Sequence, residues 1–192
     1  ISSLIALELN QFIPNFTDDP FFEESILIGS KNYQQLFSNM AFKLAAYPDD
    51  PWIKYEAAFY QMLFGDTKKA SELFAETDLL LTDLDKYVFP TCSPAVEIAW
   101  AHTEMGDNAK AKQIVKQCQA MLRTAEKEGV QEPQSYYLKA RLAVLSGNYQ
   151  NAVDYFEQAY KAGFREWWAP HDVLLKPIFN HKAVKNIRDQ VN

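Results

Sequence analysis

The side chains with most chemical capacity in this 192-residue chain are three histidines, two cysteines and several adjacent carboxylates. A metal site built on them would need ligands three or four residues apart on a helix, or paired in a Cys-x-x-Cys loop. His102, His171 and His181 have no other His, Cys or carboxylate at that spacing. His102 and Glu104 do not qualify, because side chains two apart on a helix diverge. Asp18-Asp19, Glu23-Glu24 and Asp49-Asp50 sit at predicted helix starts, where capping and the helix dipole account for them without acid–base catalysis. The six glycines are scattered singly, so no glycine-rich loop stands ready to cradle a phosphate. The expectation is a non-enzymatic protein with no cofactor and no metal.

The elements that carry these residues come from a globular chain. It is 48% hydrophobic and 23% charged, too apolar for disorder. No stretch approaches the ~20 consecutive apolar residues of a membrane span, and no signal peptide is visible. The chain starts at Ile1 and is read as a piece of something longer. Its net charge of −6 argues against nucleic acid as a direct partner. The charge is uneven: residues 1–91 hold 14 acids and 6 bases, while residues 92–192 hold 11 acids and 13 bases. This is either an ordinary solvated face or a surface that steers a basic partner.

Three dipeptides organise the chain: Gly65-Asp66, Gly106-Asp107 and Gly147-Asn148, spaced 41 residues apart. Glycine supplies a left-handed residue that ends one helix, and Asp or Asn caps the next. Five residues after each Gly comes an alanine (Ala70, Ala111, Ala152), and nine after comes a larger apolar residue (Phe74, Val115, Phe156). Seven before each Gly is another alanine: Ala58, Ala99 or Ala140. Small residues at matched points let antiparallel helices approach closely, so each unit predicts a helical hairpin. Cys92 and Cys118 then fall at the same end of one hairpin. They are either a disulfide or two small buried thiols, which leaves the compartment open.

This pattern resembles the tetratricopeptide repeat, a 34-residue helix–turn–helix unit with small residues at its eighth and twentieth positions. Counting Pro51, Cys92 and Pro133 as first positions places all three alanine pairs there. Thr77, Cys118 and Ala159 fall where a further small residue is expected. The resemblance implies an all-α, right-handed superhelix of hairpins with helical caps. Its units are a capping helix at 1–16, a degenerate repeat at 17–50, repeats at 51–91, 92–132 and 133–163, and a C-terminal cap at 164–192. The degenerate unit has Glu24 and Leu36 at the two small positions, so a looser or distorted hairpin is expected. The seven extra residues per unit fall in 83–91 and 125–132, as longer helices or as loops. His102, at an eleventh position, is expected to pack inside its unit. The tail, with Phe164, Trp167, Trp168, Leu174, Leu175, Ile178 and Phe179, should cover the last repeat. The tail also resembles the end of repeat modules in some bacterial multi-domain regulators, including adenylate-cyclase-like and membrane-bound transcriptional regulators. Such a parent fits the cytoplasm, or the periplasm if the chain is cut from a membrane-anchored protein.

Within the family, first helices line a concave groove. The corresponding positions here give Trp52, Tyr55, Phe59 and Met62, then Ser93, Val96, Trp100 and Thr103, then Gln134, Tyr137, Arg141 and Val144. The candidate partner-binding residues are Trp52, Tyr55, Phe59, Val96, Trp100, Tyr137 and Arg141. Trp100 and Tyr137 stand at the centre, and Arg141 is expected to select a carboxylate or carbonyl. Either this groove is open to a protein or peptide, or the chain's own termini fill it. One subfamily clamps C-terminal carboxylates of chaperones with polar or basic residues, Lys and Asn. Tyr55, Phe59, Glu97, Gln134 and Leu138 stand in those places here and argue against that partner. The remaining readings are a protein-interaction module or a regulatory domain whose groove docks a sibling domain.

Overall fold

The structure, a computed structural model, describes residues 22–81, 94–130, 132–166 and 168–191. The expected capping helix at 1–16, the insertion at 83–91, and Cys92 with its pairing lie outside the described residues. Those residues form helices α1 (Phe22–Gly29), α2 (Tyr33–Ala46), α3 (Pro51–Phe64) and α4 (Thr67–Ala75). After them come α5 (Ala95–Glu104), α6 (Asn108–Lys127), α7 (Pro133–Leu145), α8 (Tyr149–Lys161) and α9 (Lys182–Val191). Short 3-10 helices at Asp78–Leu81, Ala169–His171 and Val173–Ile178 complete the order, with no strand among the described residues. The chain is all-α, and each helix packs on its neighbours in a repeating array of hairpins.

The helix starts follow the polar residues that precede them. Asp50 Oδ1 accepts from the Trp52 and Ile53 amides at 2.8 and 3.2 Å, and Asp66 Oδ1 accepts from Lys68 and Lys69 at the same distances. Asn32, Asp107 and Asn148 cap α2, α6 and α8 in the same way. Each satisfies amides that the first helical turn leaves without an internal partner. Pro51 and Pro133 occupy the first turn, where a missing N–H costs nothing.

The helix ends divide the three frame glycines. Gly106 and Gly147 take φ of 84° and 73°, and the next amides bond back to His102 and Ala143 carbonyls at 2.8 Å. Gly65 does not take the expected left-handed conformation: its φ is −130°. Glycine there accommodates the close approach of two side chains instead. A Cβ would stand 2.2 Å from Gln61 Oε1 and 2.8 Å from Phe37 Cζ. Gln61 Oε1 accepts from the Asp66 amide at 2.9 Å, so a side chain supports this turn. The first of the extra residues after 124 extend a helix: α6 runs 20 residues to Lys127, and Gly129, with φ of 85°, follows its end.

The alanines at 58, 70, 99, 111, 140, 152 and 159 are all buried, together with Thr77 and Cys118. One core joins α3 to α7 through Met62, Phe74, Ile98, Trp100, Ile114, Leu138 and Leu142. A second seals the C-terminal end, where Phe164, Leu175, Ile178 and Val184 from the tail join Tyr137, Val153 and Phe156. The tail also reaches inward, since Leu174 and Trp168 join the first core.

Candidate functional site: a groove entered by the chain's own tail

The candidate groove residues are held on α3, α5 and α7, and the structure divides them by depth. On α3, Trp52 is 41% exposed, with Tyr55 and Phe59 half-buried behind it. The three rings follow one another at helical spacing: Trp52 meets Tyr55 edge-on at 5.9 Å, and Tyr55 stacks on Phe59 at 6.3 Å. Val96, Trp100, Tyr137 and Arg141 are buried. The expectation that Trp100 and Tyr137 form the centre of an open surface is therefore corrected: both rings are core.

The cause is the tail. Phe164 stacks on Tyr137 with ring centroids 4.2 Å apart and planes 15° from parallel. Trp168 stands edge-on to Tyr137 at 5.4 Å and to Phe59 at 5.6 Å. His171 lies 5.3 Å from Phe64, farther along α3. Trp100 is covered from the other side, edge-on to Phe74 at 6.2 Å. Aromatic rings prefer these offset and edge arrangements, and each pair adds to what burial alone provides. The tail thus covers the last repeat and also occupies the inner groove.

A buried polar network fastens it. Arg141 Nη1 lies 2.7 Å from Glu97 Oε1, and Arg141 Nε lies 2.9 Å from Asp172 Oδ2. Asp172, in the tail, is entirely buried; its Oδ2 accepts from the Tyr137 hydroxyl at 3.0 Å and its Oδ1 from the Leu174 amide at 3.1 Å. Burial opposes the Arg141 charge, but Asp172 and then Glu97 outweigh it and hold the guanidinium above its ordinary pKa. Burial, reinforced by Asp172, likewise pushes the Tyr137 phenol well up, so it remains a donor. The network corrects the expected place of Arg141: it is a buried ion-pair residue rather than one on an open surface, although its Nη2 is left as a buried donor with no hydrogen-bond partner among the described residues.

What remains between the tail and the helices is a pocket of about 320 Å³. Tyr55, Phe59, Glu97, Gln134 and Leu138, the five residues standing where a basic carboxylate clamp would be, all line it. Tyr137, Arg141, Phe164, Glu166 and Trp168 complete the lining. Sequence reasoning passed over Asp172 as a site residue. Its signal was available: Arg141 and Glu97 stand on inward-facing positions, and buried charges require partners. An isolated Asp in the apolar run from Trp167 to Leu175 was the matching group.

The other candidates for chemistry are accounted for by neighbours. His102 Nε2 lies 3.0 Å from Asp78 Oδ1, and its Nδ1 lies 3.6 Å from Asp107 Oδ2, the residue that caps α6. Among the described residues no three His, Cys, Asp or Glu side chains gather as a metal site requires. No helix among them is long and apolar enough to cross a membrane.

Residues 133–162, the α7–α8 hairpin, match the family model of the tetratricopeptide repeat. No curated protein and no solved structure matches the chain significantly.

Proposed function

We propose that this chain, with a tetratricopeptide repeat at 133–162 inside an all-α array of hairpins, binds a partner protein through the open end of its groove. A repeat of this family supports protein interaction as the general role. The observation that carries the finer reading is the aromatic ladder Trp52–Tyr55–Phe59, which leads from an exposed ring into the pocket between α3, α7 and the tail. An exposed tryptophan beside half-buried aromatics is the composition of an interaction anchor, because large rigid rings bury much area at low entropic cost. Val96, Trp100, Tyr137 and Arg141 contribute from beneath, by fixing the shape of the floor rather than by touching the partner along their length.

The test is site-specific photo-crosslinking in the source cell. A benzoylphenylalanine in place of Trp52 should yield discrete adducts with another protein. The same group in place of Tyr149, exposed at the start of α8, should not. No adduct at position 52, or the same adducts at both positions, would remove the groove mouth from consideration.

A further inference from the structure

We propose that the pocket between α3, α7 and the tail receives the side-chain carboxamide of a glutamine or asparagine in the partner's bound segment. This rests on the partner-binding reading of the groove and specifies its chemistry. The observation that carries it is a buried donor. Arg141 lines the pocket and is only 3% exposed. Its Nη1 lies 2.7 Å from Glu97 Oε1 and its Nε lies 2.9 Å from Asp172 Oδ2, but its Nη2 has no hydrogen-bond partner among the described residues. A guanidinium carries five N–H donors and accepts nothing, so the group that completes it is an acceptor. A buried donor without an acceptor is costly, and a carbonyl oxygen brought to it from the pocket removes that cost.

The rest of the lining decides which acceptor fits. Glu166, half-buried, and Gln134, on α7, share the pocket, and both carry oxygens that accept. A carboxamide has one accepting oxygen and two N–H donors, so its two ends match Arg141 Nη2 on one side and Glu166 or Gln134 on the other. A carboxylate could take the Arg141 bond but has no N–H for Glu166. An ammonium or guanidinium has nothing to offer Nη2. The walls agree as well. Tyr55, Phe59 and Trp168 give the pocket aromatic sides that suit the methylene stem of such a residue. Between apolar walls a hydrogen bond is stronger than in water, so the match counts for more there. About 320 Å³ is at the lower end for ligand pockets, enough for one long side chain and too small for a helix.

The experiment uses the whole chain and blocked pentapeptides, Gly-Gly-Xaa-Gly-Gly, with Xaa as glutamine, asparagine, glutamate, lysine or norleucine. Binding is followed by the indole N–H signal of Trp168 and the side-chain N–H signals of Arg141 in two-dimensional NMR spectra. The glutamine or the asparagine peptide should bind saturably, at least about fivefold more tightly than norleucine, glutamate or lysine, and should move both sets of signals. Glu166→Met, which leaves the buried network intact, should shrink that advantage while the thermal melt stays unchanged. Norleucine, glutamate or lysine binding as tightly as the better carboxamide overturns the proposal, and so does the lack of a saturable shift, which would leave Nη2 to an ordered water. An advantage that survives Glu166→Met in full overturns the carboxamide assignment. Butyramide binding as tightly as the glutamine peptide overturns it too, since the site would then be one for free amides. Adducts at Trp52 in the crosslinking experiment are independent of these outcomes, so partner binding and side-chain selection fail separately.

Discussion

The hairpin α7–α8 and the first described hairpin, α1–α2, fill the two places that the sequence pattern aligns with opposite kinds of side chain. Where α7 crosses α8, Ala140 and Ala152 are buried, with Ala159 one further step along. On α1 and α2, the residues that the sequence pattern sets against them are Glu24 and Leu36, which are equally buried. A carboxylate in that place needs a counter-charge. Lys43 Nζ supplies it at 2.5 Å and also lies 3.6 Å from Glu56. Glu24 Oε2 and Glu56 Oε1 still lack hydrogen-bond partners. The last hairpin solves its interior with small apolar contacts and a tail laid across it. The first uses an ion cluster that reaches solvent at Lys43. The comparison teaches that the hairpin plan tolerates large residues at its crossings when local charge pairing and packing adapt to them.

The largest difference should come from the tail. Ending the chain at Gly163 removes the buried side chains Phe164, Leu174, Leu175, Ile178 and Val184. Each fully buried apolar side chain is worth ~1.5–3 kcal/mol, so the loss approaches a domain's whole stability. The truncated chain should melt far lower or self-associate, measured by circular dichroism and gel filtration. An unchanged melt in a monomer would mean that the tail is a loose appendage.

Next come the two charge clusters. Asp172→Ala strands a buried guanidinium beside one remaining carboxylate and should cost about 3–5 kcal/mol in denaturant unfolding. Lys43→Met should cost less than half as much, since the Lys43 side chain is 30% exposed. Equal costs would mean that the network at Arg141 is no more buried in solution than the cluster at Lys43.

Changes of side-chain size test the crossings directly. Leu36→Ala restores the small residue of the repeat pattern, yet it should destabilise by ~2–5 kcal/mol, because it opens a cavity. Ala140→Leu should cost ~1–3 kcal/mol for the opposite reason, overpacking. A gain in stability for Leu36→Ala would show that the first hairpin closes up like the last.

Much of this architecture was legible before any coordinates. The matched Gly–Ala–apolar frames identified the hairpins, because helix ends, caps and close crossings each demand particular residue types locally. The tail's apolar residues announced that it would cover something. Three features were not legible, each for a long-range reason. Gly65 looks like its counterparts, but its conformation depends on Phe37 and Gln61, a neighbouring helix and a side-chain cap. The closing of the inner groove depends on Phe164 and Trp168 reaching Tyr137, a pairing that helical periodicity does not encode. Asp172 finds Arg141 across 31 residues of sequence, and only the folded tail brings them together.

The smallest expected effect concerns Glu56. Burial raises its carboxyl above the ordinary value, with Lys43 opposing and Glu24 adding to the rise. The folded chain therefore holds this proton more tightly than the unfolded chain does. Stability from this group is present at low pH and is lost as pH rises from the ordinary carboxylate pKa through the folded value. Glu56→Gln should flatten that slope and stabilise the neutral-pH protein by up to about 1 kcal/mol, read from urea unfolding at several pH values. A destabilised variant would mean that the Lys43 contact outweighs the desolvation of Glu56.

The central claim is that the tail occupies the inner groove, and the contact between the Tyr137 and Phe164 rings tests it most directly. With centroids 4.2 Å apart, their protons lie well within range of nuclear Overhauser transfer. A spectrum of protein carrying selectively labelled aromatic residues should show cross-peaks from Tyr137 to both Phe164 and Trp168. Absence of both, with the Tyr137 ring at the shifts of an exposed tyrosine, would contradict the account and return Tyr137 to the open groove.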